Sequence, residues 1–207
     1  FLPAAYQGSI FKYGAKPLAN IARTERTPEL QQNKLNLLRT LDAGVVERLG
    51  RLDQIESAIA NHELAFRMQS AVPELTDLKG ETDTTKKLYG LDSSFKNTAT
   101  FGRNCLIARR LVERGVRFIQ LFHVGWDTHG SLSQQLRMQC DDTDMASGAL
   151  VQDLRSRGLL EDTLVIWAGE FGRTPYVQGE VDSPKYGRDH HGRAFTVWMA
   201  GAGVKPG

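Results

Sequence analysis

Apolar residues recur every three or four positions between Thr27 and Ser70, and charged or polar residues fill the positions between them. This spacing places the apolar side chains on one stripe of a helix, and the proline directly after Thr27 is typical of a first helical turn. The pattern therefore predicts one long helix, or two helices joined near Gly50. The stripe comprises Leu35, Leu38, Leu41, Val45, Leu49, Leu52, Ile55 and Ile59.

From residue 97 onwards, the pattern alternates between helical and extended segments. Helices are predicted at 97–114 and at about 133–157, each followed by a glycine in the usual capping position. Strands are predicted at 116–123, 163–168 and 195–200. The second strand is apolar at nearly every position, as in strands buried on both faces of a parallel sheet. This order of elements predicts an α/β fold with a parallel sheet and right-handed crossovers.

The two patterns meet in a polar stretch between residues 73 and 92, which is the predicted linker. Residues 1–92 comprise an irregular N-terminal segment, rich in glycine, proline and aromatic residues, followed by the long helical segment as an insertion or cap. Residues 93–207 comprise a partial α/β core. The chemistry is expected in this second part.

Composition narrows the classes of partner. The net charge is +2, from 26 basic and 24 acidic residues, and gives no reason to expect nucleic acid or an anionic membrane. No apolar run approaches the ~18 residues that a membrane-spanning helix requires.

The two cysteines, Cys105 and Cys140, are too few for a disulfide framework or a four-thiolate zinc site. Both fall in predicted helices, so we expect buried free thiols.

Three loops next to the predicted strands are rich in the residue types that bind metals. Ligands of open α/β sheets bind beyond the carboxyl ends of the strands, so these loops are expected to converge. Imidazole and carboxylate groups together suit zinc or a similar divalent ion, which would polarise an ester oxygen and activate a nucleophile. The candidate metal ligands are Asp127, His129, Glu170, Asp189, His190 and His191.

The same loops contain two candidates for binding an anionic substrate group, Arg173 and Arg188. A guanidinium fork matches the oxygens of phosphate and sulfate. An alternative is that both arginines pair with nearby carboxylates, for example Arg173 with Glu170 in a purely structural loop. His123, at the end of its predicted strand, is a candidate for orienting a metal ligand.

These motifs resemble the bacterial domain-of-unknown-function family 1501, whose members are placed with the alkaline-phosphatase-like superfamily. The resemblance covers nearly the whole chain. It is carried by the segment 105–118, the motif Trp126-Asp127-Thr128-His129-Gly130, the loop 169–175, and the run Gly187-Arg188-Asp189-His190-His191. It implies a parallel-sheet, alkaline-phosphatase-like core with a binuclear metal site at the carboxyl edge of the sheet.

Carried over to this chain, the resemblance implies that Asp127 and His129 bind one metal and that His190 or His191 returns to it. Glu170 would bind the second metal, although Phe171 stands where the superfamily has a paired histidine. The nucleophile, a Ser, Thr or modified Cys, is expected upstream of this chain. Many family members carry a twin-arginine export signal, which implies a periplasmic or cell-surface location.

Two classes of function follow. The first is a metal-dependent hydrolase of phosphate or sulfate esters, acting on a small-molecule or glycan ester, in a fragment that lacks the nucleophile. Zinc is the favoured metal, with manganese or calcium as alternatives. The second is a non-catalytic exported protein on the same fold, with a remnant or structural metal site. Phe171 favours the second class, and the set of Asp, Glu and His residues favours the first.

Overall fold

The computed structural model describes residues 8–12, 18, 23–50 and 53–205, and the chain forms two compact units, residues 1–78 and 79–207. Within the described ranges, none of the helices is both long and apolar enough to cross a membrane. The helices are α1 (Pro28–Leu49), α2 (Asp53–Thr76), α3 (Asp83–Leu88), α4 (Lys96–Glu113) and α5 (Leu132–Ser156), and the strands are β1 (Val165–Ala168), β2 (Gly172–Arg173), β3 (His190–His191) and β4 (Val197–Ala200).

The first unit is a pair of helices, the second of the two arrangements that the apolar stripe allows. Helix α1 begins as predicted, because the Thr27 hydroxyl accepts a hydrogen bond from the Leu30 amide at 3.3 Å. It ends at Gly50, whose φ of 76° few other residues adopt. An ion pair of 2.9 Å between Arg39 and Glu63 joins α1 to α2. Leu52, residues 1–7 and residues 13–17 lie outside the described part of the chain.

The second unit is built on helices α4 and α5, which pack against each other. Both predicted helices are confirmed, and each boundary lies within one residue of its expected place. Gly115 and Gly158, with φ of 74° and 70°, follow the two helices as expected. The apolar side chains buried between the helices include Phe101, Cys105, Leu106, Ala108, Ala146, Ala149, Leu150 and Leu154.

The unit begins within the stretch that sequence analysis treats as a linker. Helix α3 lies inside this stretch, and Tyr89 directly after it is completely buried. The Tyr89 hydroxyl donates a hydrogen bond to Asp153 at 3.1 Å, which ties the segment to α5. Residues 79–92 are therefore part of the second unit rather than a separate connection.

Tyr89 lies so close to α4 that the helix has room only for a glycine at residue 102. A Cβ atom added to Gly102 would lie 1.9 Å from the Tyr89 carbonyl oxygen. We expect Gly102→Ala to lower the free energy of unfolding by about 2–3 kcal/mol, as in other overpacked cores. The matched control is Gly148→Ala in α5, where an added Cβ meets nothing within 4 Å.

The control is expected to raise the free energy of unfolding by about 0.5–1 kcal/mol, because alanine is a better helix former than glycine. Urea denaturation of the two variants measures both effects. Equal stabilities for Gly102→Ala and the wild type would contradict the close contact between Tyr89 and α4.

Burial also makes the second unit sensitive to alkaline pH. It raises the pKa of the Cys105 thiol to about 12, and burial together with the Asp153 charge raises the pKa of Tyr89 above its usual range. In the unfolded chain the pKa of the cysteine thiol is about 8.5 and that of the tyrosine hydroxyl is about 10. The folded state therefore holds more protons than the unfolded state above pH ~8.5, and stability falls as the pH rises from there.

We expect Cys105→Ala to lose stability less steeply than the wild type between pH ~8.5 and ~10.5, because one of the two groups is removed. Denaturation in urea at several pH values measures the slope. Cys140→Ala is the comparison: burial and the charges of Asp144 and Asp141 also raise the pKa of this thiol, but it is only half-buried, so we expect a smaller change of slope. An identical slope for Cys105→Ala and the wild type would refute the assignment.

Two of the three predicted strands are confirmed, as β1 and β4. They pair with each other and run antiparallel, with Trp167 opposite Trp198. The long connection between them contains no helix in its described residues, so it is a return loop and not a crossover. A parallel, alkaline-phosphatase-like core stays a prediction.

The strand predicted at 116–123 is wrong for the described structure, in which this segment forms no strand. Its pattern does alternate, since Ile119 and Leu121 are half-buried while Phe118 and Phe122 are exposed. A strand also requires a neighbour to complete its hydrogen bonds, and none of the described strands lies beside this segment. The segment instead leads into the loop that contains Asp127 and His129.

Candidate metal centre

Asp127, His129 and His190 each bring one ligand atom to the same place on the second unit. Oδ1 of Asp127 lies 2.9 Å from Nε2 of His129 and 2.8 Å from Nε2 of His190. The two Nε2 atoms are 3.2 Å apart. With these separations, one point lies within about 2.1 Å of all three atoms, the length of a zinc–nitrogen or zinc–oxygen bond.

A hairpin brings these distant residues together. Strands β2 and β3 pair with Arg173 opposite His190, and the hairpin continues through an isolated bridge between Gln178 and Gly187. The hairpin is held to the loop before α5, because the Arg188 amide donates a hydrogen bond to the Thr128 carbonyl at 3.2 Å. The centre therefore depends on contacts between segments about sixty residues apart.

Gly187 allows the hairpin to approach the loop this closely. A Cβ atom at this position would lie 2.0 Å from the carbonyl carbon of His129. Any side chain would therefore displace the backbone of a candidate ligand. Next to it, the buried Thr174 hydroxyl accepts a hydrogen bond from the Asp189 amide at 3.2 Å, and this contact fixes the residue before His190.

Arg173 binds the carboxylate of the centre. Its Nη2 donates to Oδ1 of Asp127 at 2.7 Å and to the Trp126 carbonyl at 3.2 Å. The pKa of Asp127 is held well below its usual range. The hydrogen bond with His190 contributes most to this, and the hydrogen bond from Arg173 contributes next. Asp127 is therefore ionised at neutral pH, as a metal ligand must be.

Both ring nitrogens of His129 have polar neighbours. Nδ1 lies 2.7 Å from the amide oxygen Oε1 of Gln178. This oxygen only accepts hydrogen bonds, so Nδ1 is the donor in this contact, and a ring with this single proton has its lone pair at Nε2. Nε2 is the atom that faces Asp127 and His190. Gln178 was missed by sequence analysis, because a single glutamine in a polar loop carries no pattern.

The structure brings only some of the predicted ligands into the group. Asp189 lies beside it, with Oδ1 4.0 Å from Nδ1 of His129, and accepts a hydrogen bond from the His190 amide at 2.7 Å. His191 points to the opposite side of β3 from His190, as successive strand residues do, and its Nδ1 accepts from the Arg193 amide at 3.2 Å.

Glu170 and Arg188 are exposed and lie outside the group of ligand atoms. The alternative that Glu170 pairs with Arg173 is wrong for the described structure, in which Arg173 binds Asp127. The Arg173 side chain therefore binds a carboxylate of the protein itself. Of the two arginines proposed to bind an anion, Arg188 is the one whose side chain makes no hydrogen bond or ion pair within the described ranges.

One aromatic ring packs against the centre, and a second contacts the residue before Asp127. Phe171 lies against His190, with 4.8 Å between ring centroids, so it packs beside one candidate ligand where a paired histidine was expected. His123 accepts a hydrogen bond from the Trp126 indole at 3.0 Å, and its other ring nitrogen lies 3.7 Å from Asp142. His123 thus contacts the residue directly before Asp127.

The second unit thus carries a surface cluster of one carboxylate and two imidazoles on a framework of paired helices and short antiparallel strands. The whole chain, residues 1–207, matches the family described as "Protein of unknown function (DUF1501)", and the protein belongs to that family. No curated protein and no solved structure matches the chain. Membership of this family, which the motifs indicate, is confirmed. Its placement with the alkaline-phosphatase-like superfamily stays a prediction.

Proposed function

We propose that this protein is a metal-dependent hydrolase of phosphate or sulfate esters, with a divalent metal bound by Asp127, His129 and His190. The observation that supports it most directly is the meeting of three ligand atoms, Oδ1 of Asp127 and Nε2 of both histidines, which lie 2.8 to 3.2 Å from one another. Each of these atoms offers a lone pair to a cation when the carboxylate is ionised and the imidazoles carry no proton on Nε2. A divalent ion at this place would be contacted by all three atoms at once.

The chemistry of the three ligands favours zinc, with manganese or calcium as alternatives. Two imidazoles and one carboxylate form a ligand set typical of catalytic zinc, which keeps a fourth position open. Such a metal polarises an ester oxygen and lowers the pKa of a bound water. All three residues are exposed, so the open position is accessible to a small-molecule or glycan ester.

The remaining residues have separate roles in this proposal. Arg173 orients Asp127 through its 2.7 Å hydrogen bond, and Arg188 is left to bind the anionic group of the ester. A single metal is proposed, because Glu170 and His191 lie outside the ligand group. The alkaline-phosphatase-like fold and the periplasmic or cell-surface location are part of the same proposal and rest on the family resemblance.

A second candidate function is a non-catalytic protein whose metal stabilises the loops. The packing of Phe171 against His190 favours it, because an apolar ring occupies one side of a candidate ligand. In that case the protein would bind zinc and hydrolyse no ester.

Hydrolysis of p-nitrophenyl phosphate and p-nitrophenyl sulfate by the full-length protein tests the proposal, with zinc, manganese or calcium supplied. The comparison uses His190→Ala and, as its matched control, His191→Ala. Hydrolysis of either ester that is abolished in the first variant and retained in the second supports the hydrolase. Zinc binding without hydrolysis of either ester would favour the non-catalytic protein, and activity that persists in His190→Ala would contradict the proposed site.

A further inference from the structure

Gln178 lies on the loop between β2 and β3 and contacts the centre from outside its ligand group. Its Oε1 lies 2.7 Å from Nδ1 of His129. The hairpin fixes the backbone of Gln178, because its amide donates to the Gly187 carbonyl at 2.8 Å and its carbonyl accepts from the Gly187 amide at 3.0 Å. The side chain of Gln178 therefore extends towards His129 from a backbone position that is held on both sides.

A neutral imidazole carries one ring proton, and the hydrogen bond made by one nitrogen decides the state of the other. The amide oxygen of Gln178 accepts the proton of Nδ1 in this contact, and a ring with that single proton has its lone pair on Nε2. Nε2 in turn lies 2.9 Å from the Asp127 carboxylate, which accepts a proton from Nε2 when no metal is bound. The carboxylate of Asp189 faces the same Nδ1 but lies 4.0 Å away, beyond hydrogen-bond distance. Gln178 is thus the hydrogen-bond partner of Nδ1, while Asp127 is the partner of Nε2.

We propose that Gln178 is a positioning residue, which fixes the tautomer and ring orientation of His129 so that Nε2 is available as a metal ligand. The inference rests on the proposed metal site, but it also has a consequence for the protein without metal. In the metal-free protein, Nδ1 of His129 is expected to carry a proton that Gln178 accepts, and the Asp127 carboxylate accepts any proton on Nε2. Hydrogen-bond partners of metal-bound histidines typically contribute about 10–100-fold to metal affinity.

Two substitutions at residue 178 separate its roles. Gln178→Leu removes the acceptor and is expected to weaken zinc binding about 10–100-fold, measured by isothermal titration calorimetry on the full-length protein. Gln178→Glu keeps an acceptor oxygen and is expected to bind zinc at least as tightly as the wild type. The control is Gln152→Leu, the same change at an exposed residue of α5, which is expected to leave the affinity unchanged.

Nuclear magnetic resonance of the metal-free protein supplies a second measurement. Long-range proton–nitrogen spectra distinguish the protonated ring nitrogen of His129 from the bare one, with the signals assigned by comparison with His129→Ala. A proton is expected on Nδ1 in the wild type and in Gln178→Glu. In Gln178→Leu, the proton of a neutral ring is expected on Nε2, facing Asp127.

Unchanged zinc affinity and an unchanged tautomer in Gln178→Leu would overturn the inference and leave the metal site standing. Failure of the metal site alone would give a different set of results. If the wild type binds no zinc but Gln178→Leu still alters the tautomer of His129, the proposed metal function fails, while the control of His129 by Gln178 is supported.

Discussion

Replacing Arg109 by leucine is expected to lower the free energy of unfolding by about 3 kcal/mol. The Arg109 side chain is 2% exposed, although it carries a full charge. Its Nη2 lies 2.6 Å from Glu81 and its Nη1 lies 2.7 Å from Glu113. Its Nε lies 3.1 Å from Asp153, at an angle that makes no hydrogen bond. The single guanidinium therefore contacts three carboxylates, one before α3, one on α4 and one on α5.

Removal of this cation leaves the three carboxylates in a half-buried site, and breaking a buried ion pair typically costs about 3–5 kcal/mol. We expect the lower end of this range because two other arginines still pair with these carboxylates in the variant. Arg110 still pairs with Glu81 at 3.3 Å, and Arg157 still pairs with Asp153 at 2.7 Å. Arg155→Leu, at an exposed residue of the same helix pair, is the control and is expected to change stability by no more than about 0.5 kcal/mol.

Urea denaturation of both variants measures the difference. If Arg109→Leu is as stable as the control, the ion pairs around Arg109 contribute nothing to the folding of the second unit. In that case, its core would depend on the apolar residues of α4 and α5 alone.

Replacing Asp127 by asparagine is expected to weaken zinc binding by more than a hundredfold, beyond the ~10–100-fold that residues behind the ligands contribute. The change keeps the shape of the side chain but removes the only carboxylate of the ligand group. It also removes the partner of Arg173, whose charge would then face the metal site uncompensated. Both effects act in the same direction.

The matched control for Asp127→Asn is Asp189→Asn. It makes the same chemical change beside the centre, where the carboxylate lies 4.0 Å from His129 and outside the ligand group. We expect this control to weaken zinc binding less than about tenfold. Titration calorimetry compares the two, and an equal loss in both variants would mean that general negative charge, and not coordination by Asp127, attracts the metal.

The sequence predicted the helical part of the fold well because local signals determine it. Helices α4 and α5 follow from apolar periodicity and from the glycines after them, and both are found within a residue of their expected bounds. Strand pairing depends on residues far apart in the chain. The segment 116–123 has a strand pattern without a described neighbour, while β1 and β4 pair antiparallel across a loop that sequence could not orient.

The sequence predicted which residue types form the candidate site, but not which of the six candidate ligands come together. The clustering of acidic residues and histidines beside strands indicated a metal site, and three of the six candidates meet at one point. The separation of His190 from His191 is set by the two-residue strand β3, on which the two side chains point to opposite sides. The contribution of Gln178 depends on the fold of a hairpin, which leaves no mark on the sequence near His129.

We expect His190, with Asp127 and His129, to bind a metal ion. This is tested by the zinc content of the full-length protein, purified without chelators, resupplied with zinc and measured by elemental analysis. The proposed centre predicts about one zinc per chain in the wild type and in His191→Ala, and none in His190→Ala. A wild-type protein without zinc, or one that loses zinc equally in both variants, would contradict it.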